Sequence, residues 1–135
     1  MATDYAFRAR LDVPYEEALE RIETALKTEG FGILTSVDMK STLKEKLGAE
    51  FRKYRILGVC NPPLALRALA EDLDAGLVLP CTAVIYEQEG GSSVTIADPM
   101  SVVELLGNPD LRPIAEEAHG KLRRALAGLA DQSRR

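Results

Sequence analysis

The sequence has few of the residues that usually carry catalysis or metal binding. It contains one histidine, two cysteines and no tryptophan among 135 residues. A single histidine disfavours a complete tetrahedral zinc site within one chain, because such sites take four ligands, chiefly cysteine and histidine. Two cysteines are too few for the disulfide framework of a small secreted scaffold. Any thiol or soft-metal chemistry must therefore use Cys60 and Cys81.

Common catalytic and phosphate-binding motifs are also missing. No Gly-x-Ser-x-Gly elbow presents a serine nucleophile, and no glycine-rich loop is placed to cradle a phosphate. His119 follows Ala118 on a predicted helix, and we expect it to be a boundary residue with one hydrogen bond. The sequence therefore favours a non-enzymatic protein and names no cofactor.

Long apolar runs are absent as well. No stretch approaches the roughly 18 apolar residues that span a bilayer. The first residues lack the basic start and apolar centre of a signal peptide. We therefore expect a cytoplasmic protein without a membrane segment, with reduced thiols, folded as a single domain over 1–135. Its core should lie at about 5–129, with 131–135 as a frayed tail.

The charge is unevenly distributed along the chain. The net charge is −4, and the whole acidic excess lies in 61–135. The stretch from Lys40 to Arg55 is basic, which is typical of a solvated helix and strand face, or of a nucleic-acid surface. Only seven residues are Tyr or Phe, so stacking platforms for single strands are scarce. These features disfavour nucleic acid as a partner.

Hydrophobic periodicity predicts five strands and five helices. The predicted strands are 5–13, 31–37, 51–60, 82–87 and 93–97, with a hairpin turn at 88–92 and a strand break at Pro80. The predicted helices begin at Pro14, Met39 and Asn61 and after a cap at Asp110, with a shorter helix at 101–106. The third helix should bury Leu64, Ala65, Ala68, Leu69 and Leu73.

This element order indicates an α+β fold. The principal elements follow the order β-α-β-β-α-β-β-α. The hairpin at Gly90 and Gly91 joins antiparallel strands and breaks the strict alternation of a doubly wound fold. A two-layer sandwich, with helices covering a mainly antiparallel five-stranded sheet, satisfies both the hairpin and the apolar helix faces.

The cysteines lie at two junctions between apolar strands and neighbouring turns or helices. Cys60 precedes the helix cap Asn61, and Cys81 follows Pro80. A helix N-terminus lowers a thiol pKa, so a reactive pair is one interpretation. The others are half of a metal site, completed by a second copy, and two buried apolar residues, since free cysteine buries readily. We predict a ligand or thiol site at Cys60, Asn61, Pro80 and Cys81, with no assigned catalytic or metal residue.

Several segments together carry a family resemblance over about 5–129. They are Pro14–Glu17, Gly30–Leu34, Tyr54–Pro62, Gly76–Cys81 and Asp98–Pro99. In order and spacing the chain resembles the family known as DUF302, a domain of unknown function. The resemblance implies a small α+β fold that tends to form dimers, and it implies no activity or catalytic residue.

The preferred functional hypothesis is a homodimeric, non-enzymatic binding module. It would hold a small molecule or a protein partner near the strand ends at Cys60, Asn61, Pro80 and Cys81. The alternative is thiol redox or metal chemistry at Cys60 and Cys81. Nucleic-acid binding through Lys40–Arg55 is the weakest of the three hypotheses.

Overall fold

The computed structural model describes residues 5–133, with side chains described through Leu129. Five strands and five helices make up this part of the chain, together with three 3₁₀ turns. The strands are β1 (Ala6–Leu11), β2 (Gly32–Asp38), β3 (Tyr54–Cys60), β4 (Cys81–Gln88) and β5 (Gly91–Ala97). The helices are α1 (Tyr15–Lys27), α2 (Met39–Leu47), α3 (Pro62–Glu71), α4 (Pro99–Val103) and α5 (Arg112–Ser133). The 3₁₀ turns are Leu73–Val78, Glu104–Leu106 and Pro109–Leu111.

The strands form one antiparallel sheet in the order β1-β5-β4-β3-β2. Every neighbouring pair runs antiparallel, and β1 and β2 are the two edges. The predicted α+β sandwich with a five-stranded antiparallel sheet is confirmed. No helix within residues 5–133 is both long and apolar enough to cross a bilayer.

One face of the sheet packs against α1 and α5 and forms the main core. Alternate strand residues face these helices because side chains alternate between the two faces of a sheet. Apolar residues spaced three or four positions apart on α1 and α5 pack against these strand residues. The fully or nearly fully buried members include Leu57, Val59, Ile85, Val94 and Ile96 of the strands and Ile22, Leu26, Leu122 and Leu129 of the helices.

Helices α2, α3 and α4 each begin after an Asp or Asn residue that caps the first turn. Asp38, Asn61 and Asp98 accept backbone N–H groups of α2, α3 and α4 respectively. Each cap satisfies a donor that the first helical turn leaves without a partner. Gly48 ends α2 at φ 65°, in the left-handed region that favours glycine.

Three local predictions are corrected by the structure. Leu69 and Leu73 were expected in the buried stripe of α3, yet they are 36% and 86% exposed. The helix ends at Glu71 and the chain turns into a 3₁₀ segment, which breaks the helical period. Asp110 does not cap the last helix: it lies within the turn Pro109–Leu111, whose cap is Asn108.

The ends of two further elements also differ from expectation. The hairpin turn is shorter than predicted, since β4 continues to Gln88 and β5 begins at Gly91. Glu89 and Gly90 both have positive φ in this two-residue loop, as tight hairpins require. Helix α5 continues to Ser133, into the segment expected to fray, and residues 134–135 lie outside the described part.

Candidate functional site

Asn61 ties the start of α3 to the end of α1. Its Oδ1 accepts the Leu64 N–H at 3.3 Å, and its Nδ2 donates to the Glu29 carbonyl at 3.2 Å. The residue is only 8% exposed. A Cβ at Gly30 would lie 3.0 Å from Nδ2, and Gly30 has φ +83°. Both the limited space and the left-handed backbone conformation therefore favour glycine at this position. Asn61 is therefore a structural junction whose side-chain polar atoms are both engaged.

An apolar cavity lies between this junction and the last helix. It has a volume of about 60 Å³. Its walls come from the ends of β3 and β4, the start of α3, the turn Leu73–Val78, α4 and α5; they include Cys60, Asn61, Leu64, Ala68, Ala75, Cys81, Leu111, Ile114 and Ala118. No charged side chain lines it among the described residues. Six of the wall residues, Leu64, Ala68, Ala75, Leu111, Ile114 and Ala118, form a second apolar group, here called the small cluster.

Both cysteines border this cavity. Cys81 pairs across the sheet with Val59, the chain neighbour of Cys60, so the two junctions meet at one corner of the sheet. Both thiols are free, Cys81 being buried and Cys60 half-buried. The structure thus brings together Cys60, Asn61 and Cys81.

The electrostatic environment makes both thiols poor thiolates. Burial raises the pKa of Cys60 above its ordinary value. Burial, with further contributions from Cys60 and Asp98, raises the pKa of Cys81 to about 11. The pKa of Cys60 is raised, contrary to the expectation from the α3 N-terminus, and burial of the thiol is the cause.

Pro80 is separated from the other three predicted site residues. It lines a groove on the opposite face of the sheet, together with Gly58 and Thr35. A Cβ at Gly58 would lie 2.8 Å from Pro80 Cγ and 2.3 Å from Thr35 Oγ1. The absence of a side chain at Gly58 therefore lets the proline ring rest on β3. Cys81 borders both the cavity and this groove.

His119 and Asp98 form a contact that the sequence did not indicate. The Nδ1 atom of His119 lies 2.9 Å and 3.0 Å from the two carboxylate oxygens of Asp98. The imidazole also packs against Phe7, with ring centroids 5.0 Å apart. As expected, His119 is a boundary residue with one polar partner. The pair fastens the end of β5 to α5, and only the fold brings these distant positions together.

Three cations of the basic stretch are paired with carboxylates. Lys44, Lys53 and Arg55 form ion pairs with Glu50, Glu16 and Asp38. This pairing fits the interpretation of a solvated surface. Within residues 5–133, no group of three or more His, Cys, Asp or Glu residues is placed to hold a metal ion.

The small cluster contains the wall residues that sequence reasoning missed. Ala75, Leu111 and Ile114 lie on separate elements, so no local period connects them. One signal was available: alanines recur on the buried sides of α3 and α5, at Ala68 and Ala118. Short side chains on two facing helices leave space that longer ones would fill.

Comparisons with known proteins agree with this architecture. The family model described as "Domain of unknown function DUF302" matches residues 7–129. A similar solved structure is the crystal structure of an uncharacterized conserved protein DUF302 from Bacillus stearothermophilus. It shares 33% sequence identity with a TM-score of 0.84, over 93% of this chain and 98% of that chain. The comparison with curated proteins yields no match. The chain belongs to the DUF302 family.

Proposed function

We propose that the protein is a non-enzymatic binding module that holds a small apolar molecule in the cavity beside Cys60, Asn61 and Cys81. We further propose that it acts in the cytoplasm as a homodimer. The observation that carries the ligand proposal is an apolar cavity at the strand ends whose one amide, Asn61, already has partners for both polar atoms. Among the described side chains that line it, only the thiols and the remaining donor and acceptor of Asn61 could bond to a polar ligand.

The size of the cavity restricts its occupant. Its volume of about 60 Å³ is well below the roughly 300–1,000 Å³ of sites for drug-sized ligands. Apolar cavities of this kind exclude water and take small apolar molecules. Burying apolar ligand surface would then supply the binding free energy, at roughly 25 cal/mol per Å². A small aliphatic molecule or a xenon atom fits this volume and chemistry best.

Titration of the intact protein with xenon, followed by amide and methyl NMR shifts, tests this proposal. We expect saturable shifts at residues around the cavity, such as Leu64 and Ile114. Ala68→Leu fills the space and should abolish them. Ala70→Leu is the matched control, because Ala70 is exposed on the same helix. Absence of saturable shifts in the wild-type protein, or their persistence in Ala68→Leu, would overturn the proposal.

The homodimer proposal rests on β2. This strand is an edge of the sheet, and most of its residues are exposed. Leu34 is 62% and Val37 is 44% exposed. An edge strand offers unpaired backbone N–H and C=O groups to another strand, and these apolar side chains would be buried by such pairing.

Light scattering coupled to size-exclusion chromatography measures the oligomeric state directly. We expect a dimer mass for the wild type and a monomer for Leu34→Lys. Leu66→Lys on α3 is the control, since Leu66 is 71% exposed away from the sheet edge. A wild-type monomer, or an unchanged Leu34→Lys dimer, would contradict dimerisation through β2.

Thiol chemistry is the second candidate function, favoured by the two free cysteines at one cavity. With a peroxide as oxidant, two S–H bonds would be replaced by one S–S bond, and the peroxide would be reduced to two waters or to water and an alcohol. The raised thiol pKa values predict slow oxidation at neutral pH.

Mass spectrometry after peroxide treatment tests for a loss of two hydrogens that Cys60→Ser and Cys81→Ser each prevent. An intact pair of thiols after prolonged treatment would eliminate the redox function. Metal analysis of untagged protein tests the metal version, which requires stoichiometric metal.

A further inference from the structure

The sheet face opposite the main core has an unusual charge pattern. The positions that strand register places on this outward face include Ala6, Arg8, Arg10, Thr35, Val37, Tyr54, Ile56, Gly58, Thr82, Val84, Tyr86, Gln88, Ser93, Thr95 and Ala97. None of them is acidic, although the chain has a net charge of −4. This face therefore repels anions less than the rest of the molecule does.

A groove crosses one end of this outward face. Its volume is about 380 Å³, which lies within the range of small-molecule sites. Its floor contains Ile56, Gly58, Thr82 and Ala97, and its walls include Leu77, Pro80, Val102 and Leu105. No charged residue lines it within the described part of the chain. Leu77 and Leu105 are 80% and 81% exposed, so two large apolar side chains rise beside an open, uncharged channel.

Gly58 lies on the groove floor beneath Pro80 and Thr35. It is the outward-facing position of β3 directly opposite Thr82 on β4. Any side chain there would collide with Thr35 or Pro80. The absence of a side chain at Gly58 therefore fixes how closely Pro80, which forms part of the groove wall, approaches the sheet.

A cation lies beside the end of this channel. Arg8 on β1 pairs with Thr95 on β5, two residues along the strand from the groove residue Ala97. That separation is about 7 Å along a strand. Among the described residues, the guanidinium donates to Thr95 Oγ1 at 3.2 Å and to Tyr5 Oη at 2.7 Å, and it lies 5.3 Å from the centroid of the Tyr5 ring. Within residues 5–129, no carboxylate forms an ion pair with this guanidinium.

From this juxtaposition we propose that the outward groove binds an aliphatic carboxylate, with the chain along Ile56, Leu77 and Leu105 and the carboxylate at Arg8. The guanidinium offers the paired N–H donors that match a carboxylate. The uncharged walls bury the hydrocarbon. This groove opens on the outward face of the sheet and adjoins the cavity of the proposed function, with which it shares Val78, Leu79, Cys81 and Val102 as walls.

Calorimetric titration with decanoate, decanol and decylamine tests the proposal. We expect decanoate to bind most tightly and decylamine least. Arg8→Gln should weaken decanoate binding about tenfold and leave decanol unchanged. Arg123→Gln, an exposed change on α5, is the control and should alter neither. Thr82→Phe places an aromatic side chain on the groove floor and should abolish binding of both decanoate and decanol.

Two results would overturn the proposal. One is equal affinity for decanoate and decylamine, because it would mean that Arg8 does not select the anion. The other is undiminished decanoate binding in a folded Thr82→Phe protein, because it would place the ligand elsewhere. Ala68→Leu, which fills the interior cavity, should leave decanoate binding unchanged, so the two sites can fail independently.

Discussion

The main core and the small cluster solve the same packing problem with different side chains. Four of the seventeen buried residues in the main core are alanine, against three of six in the small cluster. The main core interleaves Leu, Ile and Val from the sheet with those of α1 and α5. The small cluster sets alanines of α3 and α5 around a cavity. The main core is therefore closely packed, whereas the small cluster retains a cavity.

The two clusters differ in the number of packing contacts that a side chain loses when it is truncated. A residue in a close-packed core contacts neighbours on all sides, so truncation removes many contacts and leaves a void. A residue beside an existing cavity has fewer contacts to lose and some room to gain. Substitutions that change volume should therefore have unequal effects in the two clusters, and paired variants can measure this.

The largest expected effect is truncation of a leucine in the main core. Leu122→Ala on α5, at a fully buried position, should lower the free energy of unfolding by about 3–5 kcal/mol. Leu64→Ala beside the cavity should cost about 2 kcal/mol because one side of Leu64 faces empty space. Urea denaturation measures both. Equal losses of unfolding free energy would mean that Leu64 is packed as closely as Leu122, despite the cavity beside it.

The next largest expected effect is a loss of folding stability at alkaline pH, caused by Cys81 beside the cavity. The pKa of Cys81 rises from 9.0 to about 11 on folding because the thiol is buried. The thiol contribution is therefore complete below pH 9.0 and is lost between pH 9.0 and about 11. That loss amounts to roughly 2–3 kcal/mol. The cause is that the unfolded chain releases the proton first.

Urea denaturation across this pH range, compared between wild type and Cys81→Ala, isolates the contribution. The variant should lose less stability than the wild type as the pH rises. Parallel curves for the two proteins would show that Cys81 ionises equally in both states, and that its site is wetter than the fold indicates.

Replacing alanine by leucine at two positions of α5 compares the packing of the two clusters within a single helix. Ala125→Leu on α5 inserts volume into the main core and should destabilise the protein by about 1–3 kcal/mol. Ala118→Leu, two turns earlier and beside the cavity, should change stability by less than about 0.5 kcal/mol. Thermal unfolding distinguishes them. A larger loss for Ala118→Leu would reverse the comparison and argue that the cavity walls cannot accept a longer side chain.

Asn61→Ala should cost less stability than truncation of Leu122 in the main core. Asn61→Ala removes the α3 cap and the bond to the Glu29 carbonyl, at a cost of about 1–2 kcal/mol. Asn61→Ser can keep the cap and should recover about half of that cost. Chemical denaturation of the two variants separates these contributions. A Ser variant no better than Ala would assign the effect to the contact with α1.

Local patterns explain which parts of the fold could be predicted. The clean alternation before Val13 and the helical stripe through Ile22 located β1 and α1, because period and caps are local properties. The prediction failed at Leu69 and Leu73, where the helical pattern continued after the helix had ended. Tertiary packing overrides a local pattern when the chain turns into a 3₁₀ segment.

The candidate site was predictable only in part. The positions of Cys60, Asn61 and Cys81 at element junctions indicated a shared corner, and strand pairing brings them to it. The same reasoning placed Pro80 with them, whereas the alternation of a strand put it on the other face. The Asp98 contact with His119 left no trace in the sequence because the partners lie 21 residues apart on different elements.

By itself, the sequence determined the fold class, the element order, the polar caps and the shortage of catalytic groups. These follow from periodicity and composition, which act over a few residues. Only the tertiary structure decided that a cavity lies behind Cys60 and Cys81 and that a groove lies in front of Pro80. Cavities and pKa shifts depend on the volume and desolvation created by elements distant in the chain. The thiols that composition marked as candidates for chemistry are thus placed by burial in an environment that holds them neutral.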